Sequence, residues 1–328
     1  FRLYFRDAPP DDAPLGSAEQ RVLPARRLWT HHRLRRELSA NPVNVLFVPS
    51  HVLPVGYQGR SVVTIHDLGY LHEPSAHTAS SRIQLDLTTR WNARSASQII
   101  AISESTKQDL VERYGTDPSR ITVIHHGVDS RFVPAPAEEI EQYRRERNLP
   151  ERFILYVGTI QPRKNLIRLI SAFETISLDD PAVELVIAGK TGWKSHPIVT
   201  RATVSSASGR IRFEGHIPDT HLPTLYSAAS AVVLPSLYEG FGLPVLEAMA
   251  CGTPVVMSNR GALPEISGAD ARVIDPLDVQ DLAAGLRSAL DSSNVDALHQ
   301  ARIEHARSFT WERAARQTLD VLNEAGTP

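Results

Sequence analysis

Short apolar runs alternate with amphipathic stretches along most of this chain. Val43 to Val48, Ser61 to Ile65, Gln98 to Ile102, Phe153 to Val157, Val183 to Ala188, Arg210 to Phe213, Ala231 to Leu234 and Thr253 to Met257 have the length and β-branched content of buried strands. Between two of these runs, Leu166, Leu169, Ile170, Phe173 and Ile176 recur at helical spacing, which predicts a helix with one face on a sheet. The alternation predicts parallel sheets covered by helices, an α/β fold. Pro134-Ala-Pro-Ala-Glu-Glu and the charged stretch from Glu138 to Arg147 read as a connector, so a domain boundary is expected between about residues 130 and 150. The predicted organisation is an N-terminal domain over 1–135, a second domain over 150–310, and a helix at 311–328 that crosses back to the first.

Ligands of open parallel sheets sit outside the C-terminal ends of the strands. In the first half the polar residues at those ends are Pro49-Ser-His51, His66-Asp67 and Ser103-Glu-Ser105. In the second half they are Gly158-Thr-Ile-Gln-Pro-Arg-Lys-Asn165, Gly189-Lys-Thr-Gly-Trp193, Glu214-Gly-His216 and the loop around Glu239. The stretch Tyr238 to Val256 is the most informative. Gly240 and Gly242 suit a tight turn, Pro244 suits the first turn of a helix, and Gly252 stops that helix before a returning strand. Unpaired N–H groups and partial positive charge at such a helix start favour an anion on the Gly240 to Gly242 loop. Glu239 and Glu247 would repel that anion and are better suited to accept hydrogen bonds from sugar or ribose hydroxyls beside it. Glu247 has a second reading, as a first-turn carboxylate that favours the helix dipole by about 0.3 to 1 kcal/mol. Glu239 precedes the helix and has no such explanation.

Arg163 and Lys164 follow a strand and open the next helix, a position the dipole disfavours for cations, so an anionic partner such as a diphosphate is indicated. The competing reading is an exposed basic pair. His66 and Asp67 end a strand facing the other domain, where an imidazole could exchange a proton and a carboxylate could orient it; Asp67 could equally cap the turn. Ser105 and Gln108 have capping-box spacing, which assigns Ser103, Ser105 and Lys107 to helix initiation. His125 and His126, adjacent on a predicted strand, would point to opposite faces and form a poor metal pair. There is no Gly-x-Gly-x-x-Gly or Walker loop, so neither a dinucleotide dehydrogenase nor a P-loop enzyme is supported.

The 328 residues suffice for two domains, and 42% hydrophobic with 22% charged residues is the composition of a soluble globular protein. A net charge of -2 argues against bulk attraction to nucleic acid. The single cysteine, Cys251, excludes an internal disulfide framework and fits a reducing, cytoplasmic setting. Arg26 to Leu38 is basic, with Leu28, Leu34 and Leu38 available for one side, which raises peripheral contact with an anionic membrane face against the commoner solvated helix. The chain starts on a strand-like Phe1 to Phe5 rather than a methionine, and an earlier part of the protein is expected to precede it.

Taken together, Val63-Thr-Ile-His-Asp-Leu68, Ile102-Ser-Glu-Ser-Thr-Lys107, His126-Gly-Val-Asp129, Gly158 to Asn165, Pro235 to Ala250 and Phe309-Thr-Trp-Glu-Arg-Ala-Ala315 resemble the family 4 nucleotide-sugar glycosyltransferases. That resemblance covers the chain from about Val43 onward. It implies the GT-B architecture, two Rossmann-like doubly wound domains facing each other across a cleft. It implies that Arg163 and Lys164 bind the donor diphosphate with Gly158, Thr159 and the N–H groups of Gly240, Phe241, Gly242 and Leu243. It also implies that Glu247 holds the ribose, Glu239 the transferred sugar, and His216 and Ile217 the base. His66, with Asp67, would face the sugar or acceptor. Transfer with retention, and without a bound metal or cofactor, is implied by the family and not by any spacing of residues. The Pro162-Arg-Lys-Asn165 variant is similar to that of mannosyltransferases, which points to GDP-mannose, with a UDP-sugar next, and to a glycan or lipid-linked acceptor. A non-catalytic nucleotide-sugar-binding protein, a GT-B epimerase and a two-carboxylate glycoside hydrolase are the alternatives. Two departures stand out: the family's first βα unit with its glycine-rich loop has no counterpart, and His126 occupies a position where asparagine is usual.

Overall fold

The computed structural model describes residues 1–13, 15–50, 52–268, 270–291 and 296–327. Two parallel sheets organise it. The N-terminal sheet runs β3 (Leu46–Val48), β4 (Ser61–Ile65), β5 (Gln98–Ala101) and β6 (Ile121–Val123), in that order; ahead of it β1 (Arg2–Phe5) and β2 (Glu19–Val22) form a separate parallel pair. The second sheet contains β7 (Phe153–Val157), β8 (Glu184–Ala188), β9 (Ile211–Gly215), β10 (Ala231–Leu234), β11 (Val255–Ser258) and β12 (Arg272–Ile274), in the spatial order β12-β11-β10-β7-β8-β9. Its central strands read as unbroken apolar runs because helices cover both faces. The helix Leu166–Asp179 supplies one such cover, with Leu166, Leu169, Ile170, Phe173 and Ile176 all at most 1% exposed. Each of those side chains contributes about 1.5–3 kcal/mol of burial.

Four sequence expectations change. The run from Val43 pairs only from Leu46, where the ladder to β4 begins. Arg210 leaves its strand and donates instead to the Ser177 and Asp180 carbonyls. The charged stretch read as a connector is a helix, Ala137–Arg147, that buries Tyr143 in the core of the second domain and donates from Arg144 Nη2 to the Ala228 carbonyl at 2.8 Å. In the basic N-terminal segment, a π-helical turn Trp29–Leu34 leads into the helix Arg35–Ala40; Leu34 and Leu38 are 5% and 3% exposed. Two of the three leucines offered for a membrane face therefore belong to the protein's own core, and of the three only Leu28 stays exposed. Among the described residues no helix is long and apolar enough to cross a membrane.

The chain's last helix, Trp311–Gly326, lies on the first sheet, packing Ala314 and Val321 against Val62, Ile100 and Ile124. Arg60 Nη1 donates to the Gly326 and Thr327 carbonyls at 2.6 Å each. The two passages between the domains run side by side, with Val128 N–H bonded to Phe309 O at 3.0 Å. The C-terminal ends of β4 and β10 thereby face one another.

Candidate active site

The segment after β10 is built around two glycines with different tasks. Gly242 takes a left-handed φ of 115° to start the helix Leu243–Ala250. Gly240 is a glycine because of crowding: a Cβ there would lie 2.5 Å from both His66 O and Asp67 Cβ, so it marks one of the points where the two domains touch, and not a turn requirement. Pro244 has no N–H to satisfy, and the N–H groups of Phe241, Gly242 and Leu243 have no acceptor among the described residues.

Beneath this helix start lies a cluster of three charges. Glu239 is 7% exposed and accepts from Lys164 Nζ at 2.5 Å and from Arg163 Nη1 at 3.2 Å. Burial pushes its carboxyl up, but the Lys164 and Arg163 charges outweigh this and hold it below the usual carboxylate range. Arg163 Nη1 also donates to Tyr238 O at 2.5 Å, and Leu237 N–H donates back to Arg163 O at 2.9 Å, so the two loops are stapled together. The basic pair sits in its own 3-10 turn, Pro162–Lys164, rather than in the first turn of a helix. Buried Asn165, left-handed at φ 59°, separates that turn from the following helix, and its amide donates to Pro235 O and Pro276 O.

The remaining expected donor residues surround this cluster. Gly158 follows β7, its N–H bonded to Ala188 O at 2.9 Å, and Thr159 beside it is exposed. Past β9, His216 is exposed and Ile217 buried. Glu247 is the fifth residue of its helix, which removes the first-turn dipole explanation. It accepts from the fully buried Tyr226 hydroxyl at 2.8 Å, and burial pushes its carboxyl up further than that bond lowers it. Thr159, His216 and Glu247 share no hydrogen bond with the Glu239 cluster among the described residues.

From the first domain, His66 Nε2 meets Pro49 O at 2.8 Å, and Asp67 Oδ1 accepts from Gly69 N–H at 2.8 Å, as a turn cap does. His51 lies outside the described residues. The helix Glu104–Tyr114 is capped by Ser103, whose hydroxyl accepts from Thr106 N–H, and not by Ser105. His125 and His126 lie past β6 rather than on it, and both rings reach Phe241, at centroid distances of 5.7 and 5.3 Å. His126, 5.6 Å from the His66 ring, is pushed down to about 4 by burial and then by the neighbouring histidines, so it is neutral at physiological pH. Sequence reasoning missed this wall; its only signal was the departure from asparagine at 126. Among the described residues no three or more His, Cys, Asp or Glu side chains gather in a group that could hold a metal ion.

The site thus offers an anion two cations and a set of open N–H groups on one domain, with His66 brought up by the other. Residues 138–309 match the family model for glycosyl transferases group 1, and residues 8–132 that for glycosyltransferase family 4. The chain is 32% identical to an O-antigen chain mannosyltransferase B of Escherichia coli over 83% of its own length and 72% of that protein. It is 35% identical to a glycogen synthase of Mycobacterium tuberculosis over 83% of its length and 65% of the relative. In fold it is similar to a sucrose-phosphate synthase from Thermosynechococcus elongatus, with a TM-score of 0.77 at 22% identity, covering 98% of this chain and 88% of that one. The chain belongs to the GT-B glycosyltransferases, with a family 4 N-terminal domain and a group 1 C-terminal domain.

Proposed function

We propose that this protein transfers a hexose, mannose from GDP-mannose, to a hydroxyl of a glycan or glycolipid acceptor with retention of configuration, without a bound metal, in the cytoplasm. The observation that carries the reading is the convergence of Arg163 and Lys164 on buried Glu239, in the same loop as the open N–H groups of Phe241 to Leu243. In this reading a pyrophosphate rests on those N–H groups and is met by both cations. As the bond between the sugar's anomeric carbon and the β-phosphate oxygen breaks, negative charge grows on that phosphate, and the cations and N–H groups stabilise it more than they stabilise the intact donor. The acceptor hydroxyl attacks the anomeric carbon and its proton passes to a phosphate oxygen. Glu239 orients the sugar and holds the cations, Glu247 takes the ribose hydroxyls, Gly158 and Thr159 border the phosphates, and His216 and Ile217 border the base. His66 meets the sugar from the other domain while Asp67 fixes its turn. The identity with the mannosyltransferase and the Pro162-Arg-Lys-Asn165 sequence favour mannose, with a UDP-sugar as the second donor to try.

Incubating the purified protein with GDP-mannose, UDP-glucose and ADP-glucose, with and without mannose-terminated oligosaccharide acceptors, tests this. Expected is release of GDP that requires acceptor and yields an extended glycan. Binding without turnover points to a non-catalytic sugar-nucleotide binder, conversion of donor without acceptor to an epimerase, and cleavage of oligosaccharide alone to a hydrolase; each overturns the transferase reading.

A further inference from the structure

The helix Glu104–Tyr114 belongs to the first domain, yet the second domain completes it. Its first free N–H groups, those of Glu104 and Ser105, donate to Glu265 Oε2 and Oε1 at 2.7 Å each, while Thr106 N–H is taken by Ser103. Glu265 lies beyond β11, so a carboxylate of one domain satisfies the helix start of the other. Farther along the same helix, Asp109 is 6% exposed and accepts from Tyr238 Oη at 2.8 Å. His72 Nε2 stands 2.8 Å from both Asp109 carboxylate oxygens, and the His72 ring stacks on Tyr238 with centroids 4.2 Å apart.

Tyr238 is also the residue before Glu239, and its own carbonyl holds Arg163. A single peptide therefore carries a hydroxyl fixed by the first domain, a carbonyl fixed on a phosphate-binding arginine, and the carboxylate between the two cations. We infer that Asp109 and Tyr238 are positioning residues, through which docking of the first domain sets the register of Arg163 and Glu239 against His66. The inference rests on the transferase reading for its kinetic consequence and on the interdomain contacts alone for its structural one. Neither side chain is among the groups proposed to hold the donor, so binding of a nucleoside diphosphate to the second domain is expected to stay unchanged; both act on the step that needs the two domains in register.

Tyr238→Phe keeps the ring on His72 and removes only the hydroxyl. It is expected to lower kcat about tenfold, as loss of one hydrogen bond to a carboxylate predicts. Donor KM and the Kd for GDP stay within about twofold of wild type. Asp109→Asn behaves alike, and the two changes together cost no more than the worse one alone. An unchanged kcat in Tyr238→Phe, full additivity, or Kd moving in step with kcat overturns the inference. Small-angle scattering gives a readout independent of activity. Asp109→Ala combined with Glu265→Ala is expected to enlarge the radius of gyration of the unliganded protein while circular dichroism stays unchanged, and an unaltered scattering curve overturns the docking role. If wild-type protein neither binds nor turns over any nucleotide sugar, the donor reading fails, and the scattering result still decides the interdomain contact.

Discussion

Lys164→Ala is expected to reduce sugar transfer by about 10²–10³-fold, the loss seen when one preorganised donor is removed from a developing oxyanion. Its effect on stability separates it from an ordinary surface change. Lys164 is 13% exposed and bonded to a buried carboxylate, so its removal takes away a charge-assisted bond worth about 1.5–3 kcal/mol. The pH dependence has a definite sign. In the wild type the Glu239 carboxyl is held below the usual range, so its contribution is present above the unfolded value and is lost as pH falls through the folded one. Without Lys164, the strongest of the influences that lower the Glu239 carboxyl is gone, so that carboxyl moves up from its wild-type position. The variant's deficit is then greatest at neutral pH and shrinks as Glu239 takes up a proton. Thermal melts at about pH 7 and about pH 5 check this: the gap between wild type and variant narrows on acidification. A gap that widens, or transfer close to wild type, contradicts the placement of Lys164.

Glu239→Gln is expected to lower transfer by a similar factor of about 10²–10³ without weakening the binding of a nucleoside diphosphate. The substitution keeps the shape and removes the negative charge between Arg163 and Lys164, which are only 17% and 13% exposed. Two cations then face one another without a counterion, and a pyrophosphate can supply the missing charge. The melting temperature gained from a saturating nucleoside diphosphate should be at least as large in the variant as in wild type; a ligand at 100 times its Kd stabilises by about 2.7 kcal/mol. Weaker stabilisation in the variant would make Glu239 a direct nucleotide contact rather than the carboxylate that balances the basic pair.

The parts legible in the sequence are those written in local pattern. Alternating apolar runs fix the two sheets, and the run Leu166 to Ile176 fixes its helix and the face that helix buries. Ala231 to Met257 announces strand, glycine loop, short helix and returning strand in order. The pairing of Glu239 with Arg163 and Lys164, partners 76 and 75 positions away, is not local. It follows from β7 and β10 being neighbours in the sheet, which no spacing states. Gly240 was misread for the same reason: the atoms that exclude a side chain there belong to residues 66 and 67 of the other domain. The charged helix Ala137–Arg147 escaped because its exposed face dominates the composition while Tyr143 alone is buried. Asp109 gave no signal, since a carboxylate on an amphipathic helix reads as solvated until the second domain covers it.

A crystal structure with GDP-mannose bound bears most immediately on the claim that the second domain grips a nucleotide sugar by its pyrophosphate. The phosphates should lie on the N–H groups of Phe241 to Leu243 within hydrogen-bonding reach of Arg163 and Lys164, with the sugar turned toward Glu239 and His66. A crevice that stays closed by the Glu239 cluster at saturating ligand, or a nucleotide bound elsewhere on the molecule, would refute it.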